Sequence, residues 1–419
     1  MSAGTHRAAI GTRLLAGPAA GTETWSSHHG RLGARRRGGQ WLVDTLKESG
    51  LRGRGGAWFP TWRKWSAVAE HSDGHAVVVV NGSEGEPLSA KDRFLLQHRP
   101  HLVLDGAAFA AEALGADEVV IYLSRSSAGT AKAVRQALSE RSAAGLDEPS
   151  FSVEETSHRY VAGESSAAVS RVSGRESKPR WSLARSAEKG VRDQPTLVQN
   201  AETMAHVAMI GRYGAEWFRH LGTPASPGTT LMTLSGNVRR PGVYEVDLAA
   251  SVGDVLHGVG GCPTPAPGAL LGGYFGSWLT PASFDQVQLG DTALGCGVIA
   301  VLPAGACPIV EASKVLTYLA AESARQCGPC LHGLAALAEA MQRIATSSPQ
   351  GEDHERVVRW IDMVRGRGAC HHPDGAVGQL ESALAGFADH LRFHLRGIAC
   401  PGVGADGFPA PPKPGTAWK

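Results

Sequence analysis

Four consecutive valines, residues 77–80 in "HAVVVVNGSEGEP", constrain the fold more than any other stretch. An uninterrupted apolar run bounded by turn residues suits a strand covered on both faces, the setting of a parallel sheet. The following segments fit the same plan. "LDGAAFAAEALGA" has helical period, "DEVVIYLSR" reads as a strand, "AGTAKAVRQALSERSA" as a helix and "SFSVEETS" as a further strand. Such alternation predicts a mostly parallel sheet with helices on both faces, a Rossmann-like α/β unit over residues 41–225.

Residues 1–40 are rich in Gly, Ala, Ser and Arg and read as a flexible leader. The first helix is expected at "WLVDTLKESG", where Trp41, Leu42, Val43 and Leu46 share a face and Gly50 is the stop. Near residue 225 the pattern changes to short β stretches, a Pro241-Gly242 turn and one short helix, predicting a small mixed module over 226–305. Helical signals dominate 306–402 and predict a bundle. The proline-rich tail, 403–419, is expected to be extended.

The 419 residues allow two or three sizeable cores. A formal net charge of +2 leaves no broad electrostatic footprint for nucleic acid or an anionic membrane. No secretory signal or bilayer-length apolar run is read. Seven cysteines in such a chain suggest metal or redox ligands rather than a disulfide framework. A cytoplasmic protein is expected, meeting membranes only indirectly, through partners.

The stretch "LRGRGGAWFPTWRKW", residues 51–65, is neither a dinucleotide fingerprint nor a Walker A loop. Its glycines, beside Arg52, Arg54 and Lys64, suit close approach of backbone N–H groups to a planar or phosphorylated ligand whose charge the cations balance. A structural turn with solvated arginines is the competing reading. The loop "NGSEGEP", residues 81–87, leaves the carboxyl end of the valine strand, where ligands of open α/β sheets collect. An acidic surface turn is the alternative there. In "QCGPC", Cys327 and Cys330 flank a Gly-Pro knuckle that frees amides to point at sulfur. Helical surroundings argue against a thioredoxin-like dithiol, whereas zinc and iron–sulfur both remain open. Cys262, Cys296 and Cys307 read as buried core thiols.

Five motifs in order, "LRGRGGAWFPTWRKW", "VVVNGSEGEPLSAKDR", "YVAGESSA", "PTLVQNAET" and "SGNVRRPGVYEV", resemble the flavin-carrying, NADH-oxidising F subunit of bacterial respiratory complex I. The related diaphorase and hydrogenase β-subunits are similar too. The resemblance runs from about residue 45 to 400. It implies an FMN-binding α/β domain, a small ubiquitin-like β-grasp domain and a C-terminal helical bundle holding a [4Fe–4S] cluster. By that resemblance, Gly53, Arg54, Gly55, Gly56 and Lys64 contact FMN from the first loop, and Asn81 and Glu84 from the second. Gly163 and Glu164 serve from "AGES", and Asn200 and Thr203 from "QNAET". Phe59 and Glu86 match positions that hold NADH.

Departures gather on the nicotinamide side. Trp58 and Trp62 stand at family glycine positions, Ser165 replaces a second glutamate, Ser83 an aspartate, and Ser182 and Arg185 a lysine and a phenylalanine. Each lost charge-assisted hydrogen bond is worth ~1.5–3 kcal/mol. NADH is therefore one candidate donor beside NADPH, ferredoxin or a protein flavin donor. The family's C-x2-C-x2-C group aligns with "ESARQCGPC", so Cys327 and Cys330 match while Ala324 takes the leading position. Cys370 matches the distal ligand. Cys400 is expected as the fourth, with His371, His372 or an open or three-iron site as alternatives. The implied function is an NADH dehydrogenase-like redox subunit passing electrons through FMN and the cluster to a partner protein, a ferredoxin or another redox subunit. The alternative is a non-catalytic docking homologue with Trp58 and Trp62 plugging the nucleotide pocket.

Overall fold

The computed structural model describes residues 10–18, 21–398, 400, 402, 404, 406–413 and 417–418. Residues 1–9 of the expected leader, and part of the expected tail, lie outside the described residues. From the N-terminus, β1 (Ile10–Gly11) and α1 (Trp25–Leu32) precede α2 (Gln40–Ser49) and α3 (Thr61–Ala69). An alternating series follows: β2 (Ala76–Asn81), α4 (Lys91–His98), α5 (Pro100–Leu114), β3 (Ala116–Ser124), α6 (Ala128–Ala143) and β4 (Ser150–Thr156). Then come α7 (Ser165–Val172), β5 (Thr196–Asn200) and α8 (Ala201–Arg219).

These strands form a parallel sheet in the order β4-β3-β2-β5. The valine run is its centre. Val78 and Val80 join the large core with Leu102, Phe109 and Met204, while Val77 and Val79 pack with Tyr122 and Ala168 on the other face. Both faces are covered, as β-branched residues in a central parallel strand require. Helix α5 crosses α8 closely, because a Cβ on Gly106 would come within 1.9 Å of the Met204 carbonyl. That crossing fixes α8, whose first turn lies at the carboxyl edge of the sheet.

The second unit is built from β6 (Thr229–Gly236), β7 (Gly242–Asp247), α9 (Val252–Gly258), β8 (Ala269–Leu271), β9 (Ser277–Leu279) and β10 (Val298–Val301). With β1 they make a mixed sheet in the order β1-β7-β6-β10-β8-β9, in which β10 runs parallel to β6. A third unit of helices follows: α10 (Pro308–Glu322), α11 (Leu334–Ala345), α12 (Asp353–Val364), α13 (His372–Gly386) and α14 (Ala388–Leu395).

The flexible-leader reading of residues 1–40 needs correction for the described part, which is docked on both of the first two units. Ile10 pairs with Val246, and the N–H groups of Arg13, Leu14 and Leu15 all donate to Glu245 Oε2, at 2.6, 2.7 and 3.4 Å. Arg99 donates to the carbonyls of Leu15, Ala16 and Pro18. Helix α1 is anchored by buried His28, whose Nε2 lies 2.7 Å from Asp105 Oδ2. The tail is docked as well. Phe408 stacks on Trp278 at 5.8 Å, and the Trp418 carbonyl accepts from Ser177 N–H.

Asp105 also accepts from Arg141 at 2.8 Å and Arg212 at 2.6 Å. Burial alone would raise this carboxyl, but His28 and the two guanidinium groups outweigh it and hold it far below the usual range. Asp105→Ala should cost ~3–5 kcal/mol by stranding buried cations, read as a lower urea midpoint. The parent should lose this contribution as pH falls below about 4, where the unfolded carboxylate takes up its proton first, and the variant should lack that acid-dependent component.

Candidate functional site

The first loop grows out of the α2 terminus. Gly53 N–H donates to the Phe59 carbonyl at 2.9 Å and Thr61 N–H to the Leu51 carbonyl at 3.0 Å, closing 51–61 into a hairpin-like turn. Its base rests on α8, where Thr203 Oγ1 accepts from Arg54 N–H at 2.8 Å. Gly56 has φ +107°, and nothing lies within 4 Å of the position a Cβ would take. A Cβ on Gly55 would meet Asn200 Cβ at 3.0 Å. The loop is therefore open on one side and pressed onto the sheet edge on the other.

The second loop leaves β2 where strand register sets Asn81 beside Asn200 of β5. Asn81 Nδ2 donates to the Gly163 carbonyl at 2.7 Å, and Asn200 caps α8 by accepting from Thr203 N–H at 3.2 Å. Glu164 caps α7 through Ser166 and Ala167 N–H. Glu84 caps α4, accepting from Asp92 and Arg93 N–H at 3.2 and 3.3 Å. Several expected ligand-binding residues are thus also helix caps, so the amides of three helix starts gather at one sheet edge.

Beneath them lies a dry charge network. Lys91 Nζ stands 2.8 Å from Glu202 Oε2 and 3.0 Å from Asp92 Oδ2, and Asp92 accepts from Asn200 Nδ2 at 2.8 Å. Arg54, 2% exposed, sends its guanidinium inward, donating to the Thr229 carbonyl at 2.9 Å with Glu202 Oε1 at 3.9 Å. Burial pushes Arg54 down to about 10. Its guanidinium is held by protein groups, while Arg54 is itself among the residues that line the cavity described next. Lys64 donates to the Val198 carbonyl at 2.6 Å, and burial, opposed by Glu164, brings it down to about 8.

Gly55, Gly56, Asn81, Glu84, Glu86, Gly163, Glu164 and Asn200 line one cavity of about 560 Å³. Phe275 and Gly276 of the second unit line it too, as do Cys370, His371 and His372 of the third. Phe59 does not reach it: the ring is 51% exposed and contributes through its carbonyl. Trp58 and Trp62 are not among the lining residues of that cavity. Trp58 Nε1 instead donates to the Gly295 carbonyl at 3.0 Å, clamping the loop to the second unit. Sequence reasoning passed over Lys91, Tyr160 and Phe275, which line the cavity, and read Cys296, which also lines it, as a core thiol. Lys91 lies inside the quoted "SAKDR" stretch, and Phe275 inside the glycine-dense "LGGYFGSW".

Glu86 ties the units together, accepting from Tyr160 Oη at 3.0 Å, Tyr274 N–H at 2.8 Å and Leu88 N–H at 3.1 Å. Burial pushes it up to about 7 against the pull of those donors.

Cys370 lines the cavity, and Cys330 feels both Cys327 and Cys370 as electrostatic neighbours. The "QCGPC" knuckle winds into a wide turn, Pro329–Gly333, with Leu331 N–H on the Cys327 carbonyl. Burial first, then the neighbouring sulfurs, push the Cys330 thiol up to about 12, so ionised sulfurs here require a bound cation. Buried Ser323 lies against Cys330. Of the alternatives, His371 is fully exposed, whereas His372 holds the Leu319 carbonyl through Nε2 at 2.8 Å and keeps a buried Nδ1 with no hydrogen-bond partner. The expected fourth ligand, Cys400, is a correction. Its sulfur gathers with Cys307 and His394. Cys307 caps the start of α10 whereas Ser323 caps its end, and a helix of 15 residues separates the two places by roughly 22 Å.

Residues 46–209 match the family described as the Nuo51 FMN-binding domain, and residues 311–394 the NADH-ubiquinone oxidoreductase-F iron-sulfur binding region. The F 2 subunit of the NADH-quinone oxidoreductase of Rhizobium meliloti is 30% identical over 378 residues, spanning 86% of this chain and 90% of its own. The chain belongs to the family of NADH-quinone oxidoreductase F subunits. The corresponding protein of Streptomyces coelicolor is 31% identical over 90% of this chain and 86% of its own. Among solved structures, an NAD+-reducing [NiFe]-hydrogenase in the H2-reduced state superposes with a TM-score of 0.77 at 30% identity. The match covers 85% of this F-type chain and 62% of the hydrogenase chain.

The family's chemistry is NADH dehydrogenase-like electron transfer, and its cofactors, FMN and a [4Fe–4S] cluster, suit the residues present. The open face of Gly56, on the wall of the 560 Å³ cavity, fits close approach of a planar ring system to the backbone. Three thiols within electrostatic reach of one another are the donor type a cluster needs, with Ala324 in place of a fourth.

Because native Glu86 keeps its proton to about pH 7 while an unfolded glutamate releases it near 4.3, the native state binds more protons across that window. Stability should fall as pH rises through it. Glu86→Gln should flatten that slope, checked by thermal melting between pH 5 and 7.5.

Proposed function

We propose that this chain is the electron-entry subunit of a larger redox assembly, taking two electrons from a nicotinamide dinucleotide and delivering them singly to a partner protein. The observation that carries this reading is the continuity of the cavity, which has the glycine loop and Asn81 at one end and Cys370 at the other. FMN, when bound, supplies the ability to accept an electron pair and release it one electron at a time. Gly53, Gly55, Gly56, Asn81, Gly163, Glu164, Asn200 and Thr203 would hold it, directly or by fixing the loops around it. Cys327, Cys330 and Cys370 would hold the cluster. Glu322, accepting from Arg159 Nε at 3.1 Å and Tyr160 N–H at 2.7 Å, keeps the end of α10 against the "YVAGES" loop. It thereby keeps the thiols beside the cavity.

The second unit reads as a β-grasp domain, with α9 lying across a mixed sheet whose β6 and β10 are parallel. Its contribution is the wall carrying Phe275, whose ring meets Tyr160 at 4.8 Å. Glu86 stands at the nicotinamide end in this reading, whereas Phe59 is too exposed to serve without rearrangement. No described helix is long and apolar enough to cross a membrane. A cytoplasmic subunit that reaches a membrane through its partners fits the reading.

Anaerobically purified protein should carry about one flavin per chain with iron and acid-labile sulfide, and stopped-flow mixing with NADH should bleach the flavin. Colourless protein that cannot be reconstituted would instead favour a docking homologue, and bleaching by NADPH alone would reassign the donor. Gly56→Val, which adds bulk at a positive φ, should lower flavin retention at least tenfold while leaving iron in place. Ala324→Cys should supply the absent thiol and slow cluster loss in air, followed as decay of the visible iron–sulfur absorbance.

A further inference from the structure

Cys307 and Cys400 lie outside the iron–sulfur match of residues 311–394, at the end of α10 remote from Ser323. We propose that Cys307, His390, His394 and Cys400 form a second metal centre, a mononuclear four-coordinate Zn²⁺ site that fastens the two ends of the helical unit. Cys307 caps α10, the first helix of the bundle, and Cys400 follows α14, the last. His390 and His394 are four residues apart on α14 and so share a face. Cys307 Sγ stands 3.3 Å from His394 Nε2 and 3.8 Å from His390 Nδ1, and Cys400 Sγ stands 3.9 Å from His390 Nδ1. The donor atoms of Cys307, His394 and Cys400 all lie within 4.8 Å of one another.

A tetrahedron with Zn–N bonds near 2.0 Å and Zn–S bonds near 2.3 Å has edges of roughly 3.3–3.8 Å. The three cysteine–histidine separations of 3.3, 3.8 and 3.9 Å fall near that scale, while His390 lies outside the group of donors within 4.8 Å of one another and has to swing in to complete the set. Two cysteines and two histidines also make one of the closed donor sets of structural zinc. A two-iron centre with both histidines on one iron would hold the thiols apart from the imidazoles. Here Cys307 is close to both rings, so the donors point to one centre.

The surroundings orient the ligands. Ser347 Oγ donates to the Ile398 carbonyl at 3.0 Å and lies 3.1 Å from His394 Nδ1. With its proton committed to Ile398, the hydroxyl accepts from Nδ1–H, which leaves the Nε2 lone pair facing Cys307, the arrangement metal-bound histidines use. Gly402 lets the chain past Cys400 run tightly over the site, since a Cβ there would meet Cys307 N at 2.6 Å.

The test is metal analysis of the full-length protein made in zinc-supplemented medium. One zinc per chain is expected in addition to iron, with a zinc K-edge spectrum fitted by two sulfurs at about 2.3 Å and two nitrogens at about 2.0 Å. Cys400→Ser should lose the zinc and keep iron and flavin. Ser347→Ala, a milder change, should weaken zinc about 10–100-fold in chelator competition with unaltered circular dichroism, which covers the case where the cysteine variant fails to fold. Zinc-free protein that also takes up no Co²⁺ would overturn the proposal. So would loss of iron rather than zinc from Cys400→Ser, or an intact mass two hydrogens light from a Cys307–Cys400 disulfide.

Discussion

The architecture depends on a desolvated set of four charges beneath the cavity: Lys91, Asp92, Glu202 and Arg54. Burying ions is costly, and their mutual attraction repays the cost only when geometry and extra hydrogen bonds are right. Here Glu202, Asp92 and Arg54 are each also bonded to backbone or polar groups of another element, while Lys91 bridges the two carboxylates. Glu202 Oε1 accepts from Thr230 Oγ1 at 2.9 Å and Leu231 N–H at 2.8 Å on β6. Asp92 accepts from Glu202 N–H and Asn200, and Arg54 reaches the Thr229 carbonyl. The set pins the glycine loop, α4, α8 and the first strand of the second unit to one another. Its main effect is positional.

Function follows from what that floor holds in place. Helix starts bring amides and two asparagines to the carboxyl edge of a parallel sheet, as the general rule for open α/β sheets leads one to expect. Because the third unit is tied in at Glu322 and Glu86 meets Tyr160 and Tyr274, all three units contribute to one chamber. Cys370 belongs to the wall of that chamber. Helix α10 acts as a spacer, with Ser323, beside Cys330, at its end and the Cys307 group at its start.

Much of this was legible in the sequence, and the exceptions have physical causes. The valine run announced a doubly covered strand, and β2 lies central in its sheet. Glycine spacing marked the first loop, and the "QCGPC" knuckle with Cys370 marked the thiols. Docking of the leader was not legible, because its anchors are Glu245, more than 230 residues away, and the His28–Asp105 pair. No local pattern reports such partners. Cys400 was misplaced because spacing fixes where α14 ends but not which way the chain turns afterwards. Trp58 looked like bulk in a pocket, yet an indole at φ +50° points its N–H to Gly295. Lys91 was overlooked because lysine is seldom buried unless paired, and its partners Asp92 and Glu202 come together only in the fold.

The short strand β1 has a consequence beyond anchoring. It closes the outer edge of β7, while at the opposite margin Trp278 of β9 donates its N–H to Ser382 of α13 at 3.0 Å. Open margins are where one sheet grows onto another and proteins polymerise. Two residues of the outer edge of β7 are covered by β1 and β9 is tied back to α13, so the chain itself takes up part of each margin of this sheet and leaves less bare ladder there for another strand to extend.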